Sequence, residues 1–196
     1  MKLPFKKVSG FAFMFLLLLS AGCKKAESPV SGKEENLPAV NARFTLLSPE
    51  QTGVEFINAF TENFDYNIYT YEYLYNGCGV AVGDVNGDGL PDLYFASAFA
   101  TNKLYLNRGN MTFADVTDIA GVAAPDGYKT GVTMADVNGD GLLDIYSCRT
   151  SKDDDGKKTD HLFINKGNHT ENGMEIPVFE DQAKKLGLDD NSNTNH

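Results

Sequence analysis

Two acidic loops carry the clearest chemistry of the chain, because each places an oxygen-bearing side chain at alternate positions. In both loops, positions 1, 3, 5 and 9 are Asp, Asn, Asp and Asp, and a glycine follows position 5. Calcium takes about six to eight oxygen ligands, and a tight loop that turns alternate residues inward supplies them, with a backbone carbonyl at position 7. The sequence therefore predicts one calcium ion per loop. The predicted ligands are Asp84, Asn86, Asp88, Leu90 and Asp92 in the first loop and Asp136, Asn138, Asp140, Leu142 and Asp144 in the second.

Residues around the loops separate this motif from other calcium-binding folds that share its opening. An EF-hand needs Glu at position 12 and flanking helices, but Phe95 and Ser147 stand at that position. A dockerin loop also expects an acidic residue there, followed by a helix. The loop of integrin-α-type propellers fits better, since its position 9 is Asp and strands flank it. A solvated turn closed by Asx hydrogen bonds remains the alternative for any single loop.

The loops lie inside a longer internal repeat. Residues 79–94 are echoed by 131–146, residues 103–109 by 161–167, and residues 113–122 by 179–188. Short strands separated by turns, in units of about 50 residues, are typical of β-propeller blades. The sequence therefore predicts an all-β chain with one blade at 79–130 and another at 131–196, which together form an incomplete ring. Two polar additions in the second copy, 151–160 and 168–177, are predicted to be surface loops.

The segment 44–78 precedes the first copy and has no acidic loop. Its beginning, up to Gly53 and Val54, loosely matches the end of each copy. We therefore expect it to donate an outer strand to the last blade, which would close the ring and remove a sheet edge. The aromatic run from Tyr66 to Tyr75 is expected to pack within and between blades rather than bind a ligand. Because the repeats run to His196, we expect the chain to be the front part of a longer protein.

Residues 1–22 have the order of a secretory signal, with lysines, an apolar run and then small residues before Cys23. The sequence Leu-Ser-Ala-Gly-Cys at 19–23 resembles the lipobox of bacterial lipoproteins. That resemblance implies lipidation of Cys23, with palmitate-type acyl chains as a membrane anchor. Lys24 stands where an inner-membrane retention signal usually has Asp, so the outer membrane is expected, at its periplasmic face or at the cell surface. Residues 23–43 are polar and predict a flexible tether.

Charge and composition narrow the possible partners. The chain has 17 Lys and Arg against 27 Asp and Glu, a net charge of −10, which favours cations and disfavours nucleic acid. Cys78 and Cys148 are expected to be buried free thiols, although an exported protein could pair them. The histidines, at positions 161, 169 and 196, form no catalytic pattern and are expected to be solvated loop residues.

Taken with their acidic loops, the two copies resemble FG-GAP/VCBS repeats. The chain from Phe44 onward resembles the N-terminal part of cartilage-acidic-protein-like lipoproteins, a family associated with the ASPIC/UnbV domain. The resemblance implies further blades, from the full-length protein or other copies, although Cys78 stands where the family pattern expects Gly. The repeats and calcium loops, with no catalytic constellation in the sequence, favour a calcium-binding, non-enzymatic scaffold on the outer membrane for a glycan or protein partner. The alternative is the N-terminal part of a calcium-dependent propeller enzyme that acts on polysaccharide or lipid.

Overall fold

The computed structural model describes residues 44–125, 127–150 and 159–188. The predicted signal peptide and the whole predicted tether, with Cys23, lie outside these residues, as do His196 and most of the addition at 151–160. Every element given below belongs to one compact unit, within residues 46–196. No helix within the described residues is long and apolar enough to cross a membrane.

Eight strands form two separate four-stranded antiparallel sheets, each in the order in which its strands follow along the chain. The first sheet contains β1 (Val80–Gly83), β2 (Asp92–Phe95), β3 (Lys103–Asn107) and β4 (Phe113–Asp115). The second contains β5 (Tyr128–Ala135), β6 (Asp144–Thr150), β7 (His161–Glu171) and β8 (Met174–Asp181). The all-β prediction is confirmed, and because the two sheets do not close on each other, the ring is incomplete as expected.

The two blades share one hydrophobic core. Tyr94 and Leu104 of the first blade and Ile145 and Phe163 of the second belong to the same buried cluster. The blades approach closely at Gly83, where an added Cβ would lie 2.7 Å from Cδ1 of Leu143. A Cβ at this point would have to displace the ends of the Leu143 and Met134 side chains, so glycine lets β1 pack closely against the second blade.

The addition at 168–177 is a β-hairpin, so the prediction of a surface loop is wrong there. Strands β7 and β8 pair as far as Glu171 and Met174, and the turn between them is Asn172-Gly173. Both turn residues have positive φ, 51° and 76°, as a type I′ hairpin turn requires. Ile176 of this hairpin is buried in the shared core, which explains why a largely polar stretch is ordered.

The segment 44–78 contains no strand in the structure. Its one regular element is the short helix α1 (Pro49–Thr52), which ends at Gly53. The same element recurs after the last strand of the first sheet as helix α2 (Thr117–Ala120) and after the last strand of the second as a 3₁₀ turn (Lys184–Leu186). A donated outer strand would pair with a last blade that is not among the described residues, so that strand stays a prediction.

Aromatic side chains hold the rest of this segment against the blades. The Phe56 ring stacks on Phe95 with a centroid distance of 4.9 Å. Tyr71 meets Tyr128 of β5 at 5.4 Å, so part of the aromatic run serves packing as expected. Tyr69 is almost fully exposed, and packing does not explain its position.

Candidate metal centres

The first acidic loop joins β1 to β2 and is closed by the carboxylate at position 1. Oδ1 of Asp84 accepts hydrogen bonds from the N–H of Gly87 at 2.7 Å and of Asp88 at 3.1 Å. Oδ2 of Asp84 accepts the N–H of Gly89 at 2.8 Å. Gly87 and Gly89 both have positive φ, 77° and 85°, which lets the backbone turn its amides toward the carboxylate.

The second loop joins β5 to β6 and has the same pattern. Oδ1 of Asp136 accepts the N–H of Gly139 at 2.7 Å and of Asp140 at 3.2 Å. Its Oδ2 accepts the N–H of Gly141 at 2.9 Å. The hydrogen bond from Gly141, with those from other loop amides, lowers the pKa of Asp136, so this side chain is a stable anion.

Positions 3, 5 and 7 lie inside the same turn in both loops. Oδ1 of the position-5 aspartate accepts the N–H of position 7, from Leu90 to Asp88 and from Leu142 to Asp140, at 2.8 and 2.9 Å. The Asn86 side chain donates to Oδ2 of Asp88 at 3.1 Å. Asn138 donates to Asp140 in the same way at 2.9 Å.

The aspartates at position 9, Asp92 and Asp144, are fully buried. Asp92 accepts the N–H of Val85 at 2.9 Å and of Asn107 at 2.8 Å, one on each carboxylate oxygen. Burial raises the pKa of Asp92 to about 6, with smaller contributions from the negative charges of Asp88 and Asp84. Repulsion among the carboxylates of this loop therefore already acts on its buried member.

Asp144 repeats this arrangement in the second blade. It accepts the N–H of Val137 at 3.0 Å and of Asn165 at 2.8 Å. Asn107 and Asn165 thus connect each loop to the third strand of its blade, a role that we did not predict. The signal was present in the sequence, because both residues occupy the same place in the two copies.

The donor set of each loop fits calcium by its chemistry, since all its side-chain donors are hard oxygens and three of them are carboxylates. As the side chains stand, no three His, Cys, Asp or Glu residues in the described part of the chain are grouped closely enough to hold a metal ion. The carboxylates at positions 1 and 9 instead accept backbone amides. Binding would therefore require the carboxylates to turn toward a common centre while the backbone of the loop stays closed.

His161 is not a solvated loop residue, so that prediction is wrong. It begins β7, and only 16% of its side chain is exposed. Its Nδ1 lies 2.6 Å from Oδ2 of Asp181, and its Nε2 lies 3.0 Å from Nη1 of Arg149. Because a guanidinium only donates hydrogen bonds, Nε2 accepts, and Nδ1 carries the proton that faces Asp181.

The first blade has Lys103 and Asp115 at the positions that His161 and Asp181 occupy in the second. Nζ of Lys103 lies 2.8 Å from Oδ2 of Asp115. The histidine is therefore one form of a repeated pair that connects the third and fourth strands. His169 also lies within β7 rather than in a loop, 3.4 Å from Glu171, and is partly exposed.

Cys78 and Cys148 are free thiols in the structure, and each is partly buried. Burial raises the pKa of both, which keeps them protonated and weakly reactive near neutral pH.

Comparison with known proteins agrees with the repeat architecture. Residues 63–147 match the FG-GAP-like repeat family. A stretch of 69 residues is 39% identical to cartilage acidic protein 1 of Mus musculus, covering 35% of this chain and 11% of that protein. The Homo sapiens protein is also 39% identical, over 35% of this chain and 10% of its own length. The Xenopus tropicalis protein is 35% identical over the same share of this chain and 11% of its own.

The chain thus spans about a tenth of the length of the curated relatives that it matches. The described blades and the matched residues coincide over the whole first blade, both acidic loops and the start of the second blade. Residues 63–147 therefore have the sequence of FG-GAP-like repeats, and the chain has homology to cartilage acidic protein 1.

Proposed function

We propose that this chain is a calcium-binding propeller-repeat module, anchored to the outer membrane by a lipid on Cys23, that holds a glycan or protein partner. FG-GAP-like repeats indicate a propeller-type binding module, which gives the proposal its starting point. Calcium, the anchor and the partner are the parts that need experiments.

One observation carries the calcium part of this proposal. The two loops lie 52 residues apart in the chain and have the same hydrogen bonds. In each, the carboxylate at position 1 accepts the backbone amides of positions 4, 5 and 6. A calcium ion would balance the three carboxylates of each loop and connect the two inner strands of each blade. Its role would then be structural.

Calcium titration of the purified chain tests this part. Asp88→Asn and Asp140→Asn each remove one carboxylate but keep the oxygen that accepts the position-7 amide, so the loops should still fold. We expect two binding sites by calorimetry in the wild-type chain and one in each variant. Asp118→Asn, on an exposed aspartate outside the loops, should keep both sites.

Thermal unfolding provides a second measurement. Calcium that binds the folded chain at about 100 times its dissociation constant should add about 2.7 kcal/mol to the free energy of unfolding for each site. An unchanged melting temperature between chelator and millimolar calcium would contradict the proposal.

The lipid anchor is tested separately, with Cys23→Ala. The wild-type protein should partition into a detergent phase, and the variant should move to the aqueous phase because it has lost its acyl chains. Equal partitioning of both proteins would reject the anchor without affecting the calcium proposal.

Further blades, from the full-length protein or from other copies, are a second set of proposed partners. Val80 and Val82 of β1 are 53% and 60% exposed, whereas Val132 and Met134, at the matching positions of β5, pack on the shared core. An exposed apolar strand face of this kind favours association. If other copies cover it, Val82→Asp should lower the sedimentation coefficient at high protein concentration.

The alternative of a propeller enzyme gains no support from the histidine in the second blade. Both ring nitrogens of His161 are engaged, with Asp181 and Arg149, so neither is free to take a proton from a substrate.

A further inference from the structure

The hairpin of β7 and β8 reaches the first blade, although it belongs to the second. In the first blade, β3 ends at Asn107 and β4 begins at Phe113. In the second blade, the matching strands continue to Glu171 and Met174, which lengthens the hairpin at the end of the sheet where β7 turns into β8. This extra length brings the hairpin beside the acidic loop at 84–92.

Three hydrogen bonds join this region of the second blade to the first loop. The Asn168 side chain donates to the backbone oxygen of Asn86 at 2.6 Å. The Asn86 side chain donates to the backbone oxygen of Glu175 at 3.2 Å. Next to it, the Asn165 side chain donates to the backbone oxygen of Val85 at 2.9 Å. Positions 2 and 3 of the first loop are thus held from the neighbouring blade.

The second loop has no corresponding contact within the described residues. Among the described residues, the side chain of Asn138 hydrogen-bonds only to Asp140, inside its own loop. Asn138 is exposed, whereas Asn86 is only 8% exposed. The two loops thus share the ligand pattern and the internal hydrogen bonds of positions 1, 3 and 5, but among the described residues only the first has a hairpin of the neighbouring blade packed against it.

We propose that Asn168 is a positioning residue for the first acidic loop, and that the hairpin orders this loop from the neighbouring blade before a cation binds. A loop that is already ordered loses less conformational entropy on binding. The first loop should then bind calcium more tightly than the second. By linkage, calcium in the first loop should strengthen the contact between the blades. The calcium part of this inference rests on the function proposed above.

Two backgrounds with one site each test the idea in the purified chain. Asp140→Asn leaves the first loop intact, and Asp88→Asn leaves the second; each is combined with Asn168→Ala. Calorimetric titration with calcium chloride should show that Asn168→Ala weakens the first loop about five- to tenfold, the range expected for one lost hydrogen bond. The second loop should change by less than about twofold.

Thr170→Val is the matched control. It removes a hydrogen bond inside the same hairpin, from Thr170 to Glu175, without touching the first loop. This variant should leave both dissociation constants unchanged. If Asn168→Ala altered neither loop, or weakened both loops equally, the inference would be overturned.

Hydrogen exchange separates this inference from the calcium proposal. In chelator, the amides of Gly87, Asp88 and Gly89 should lose about tenfold of their protection in Asn168→Ala. Those of Gly139, Asp140 and Gly141 should keep theirs. If neither loop bound calcium, the proposed function would fail, and this loss of protection would still support the ordering role of the hairpin. Unchanged protection of the first loop would overturn that role.

Discussion

Gly53 lies so close to the backbone of Phe113 that a Cβ on Gly53 would stand 2.5 Å from the Phe113 carbonyl oxygen. Gly121 faces the Phe179 carbonyl oxygen of the next blade in the same way, but a Cβ there would lie at 3.4 Å, an ordinary contact distance. Each glycine ends a one-turn helix with a left-handed backbone, at φ 75° and 78°. The segment before the first blade therefore lies against β4, the outer strand of that blade. In the same way, the end of the first blade lies against β8, the outer strand of the second blade.

Gly53→Ala should be among the most destabilising glycine substitutions in the chain. A left-handed backbone costs a residue with a Cβ about 1–2 kcal/mol, and the contact with the Phe113 oxygen adds to this cost. We expect a loss of about 2–3 kcal/mol in the free energy of unfolding, measured in urea. Gly109→Ala has a similar φ, 80°, but open space around its Cβ, and should lose only about 1 kcal/mol. Equal losses would show that the close approach contributes nothing.

Lys129 should be a second sensitive position, because it is fully buried and connects the blades. Its Nζ donates to the backbone oxygen of Ala100 in the first blade at 2.7 Å and to that of Gly127 at 3.2 Å. Lys129→Met keeps the aliphatic stem but removes the buried ammonium group that donates to both carbonyl oxygens. We expect a loss of about 2–4 kcal/mol in the free energy of unfolding. Lys166→Met, on an exposed lysine, should change it by less than about 0.5 kcal/mol.

The internal repeat made the blades predictable. The two copies share strand patterns and loop spacing, so the strands predicted for one copy could be predicted for the other. The structure has a four-stranded sheet in each copy. Position 9 of each loop illustrates the limit of this approach. Its carboxylate could be predicted from the motif, but its bond to Asn107 or Asn165 depends on how the third strand folds back on the loop.

Contacts that only one copy makes could not be predicted from the repeat. Asn168 and Asn86 are 82 residues apart in the chain, and no local pattern indicates that they meet. The hairpin that carries Asn168 was itself missed because its composition is polar. Its turn was detectable, since Asn172-Gly173 is a strong hairpin signal between alternating residues.

The ion pair of the first blade should give the chain a measurable pH dependence. Burial alone would raise the pKa of Asp115, but hydrogen bonds from Lys103 and Thr117 outweigh it and lower the pKa below 3.8. The ionised carboxylate is therefore favoured by folding. Its contribution to stability is fully present above pH 3.8 and is lost as the pH falls through the lower pKa of the folded state.

Lys103→Met tests this dependence in urea unfolding at several pH values. Both side chains are about one-third exposed, so solvent screening limits the expected loss at pH 7 to about 0.5–1 kcal/mol. The difference between the variant and the wild type should shrink as the pH falls below 3.8 and the carboxylate becomes protonated. A difference that stayed constant from pH 7 to pH 2 would assign the effect of Lys103 to packing of its stem.

Val82 and Met134 occupy matching positions in β1 and β5 but should respond differently to truncation. Met134 packs on the shared core, and a Cβ on Gly83 would lie 3.0 Å from its sulfur, so Met134→Ala should leave a gap between the blades. We expect it to lower the free energy of unfolding by about 1–2 kcal/mol, less than for a fully buried methionine. Val82 is 60% exposed, and Val82→Ala should change the free energy by less than about 0.5 kcal/mol. Both are measured in urea at low protein concentration, where copies do not associate. If Val82→Ala cost as much as Met134→Ala there, β1 would have to be covered within a single chain, and the exposed face assigned to it would be wrong.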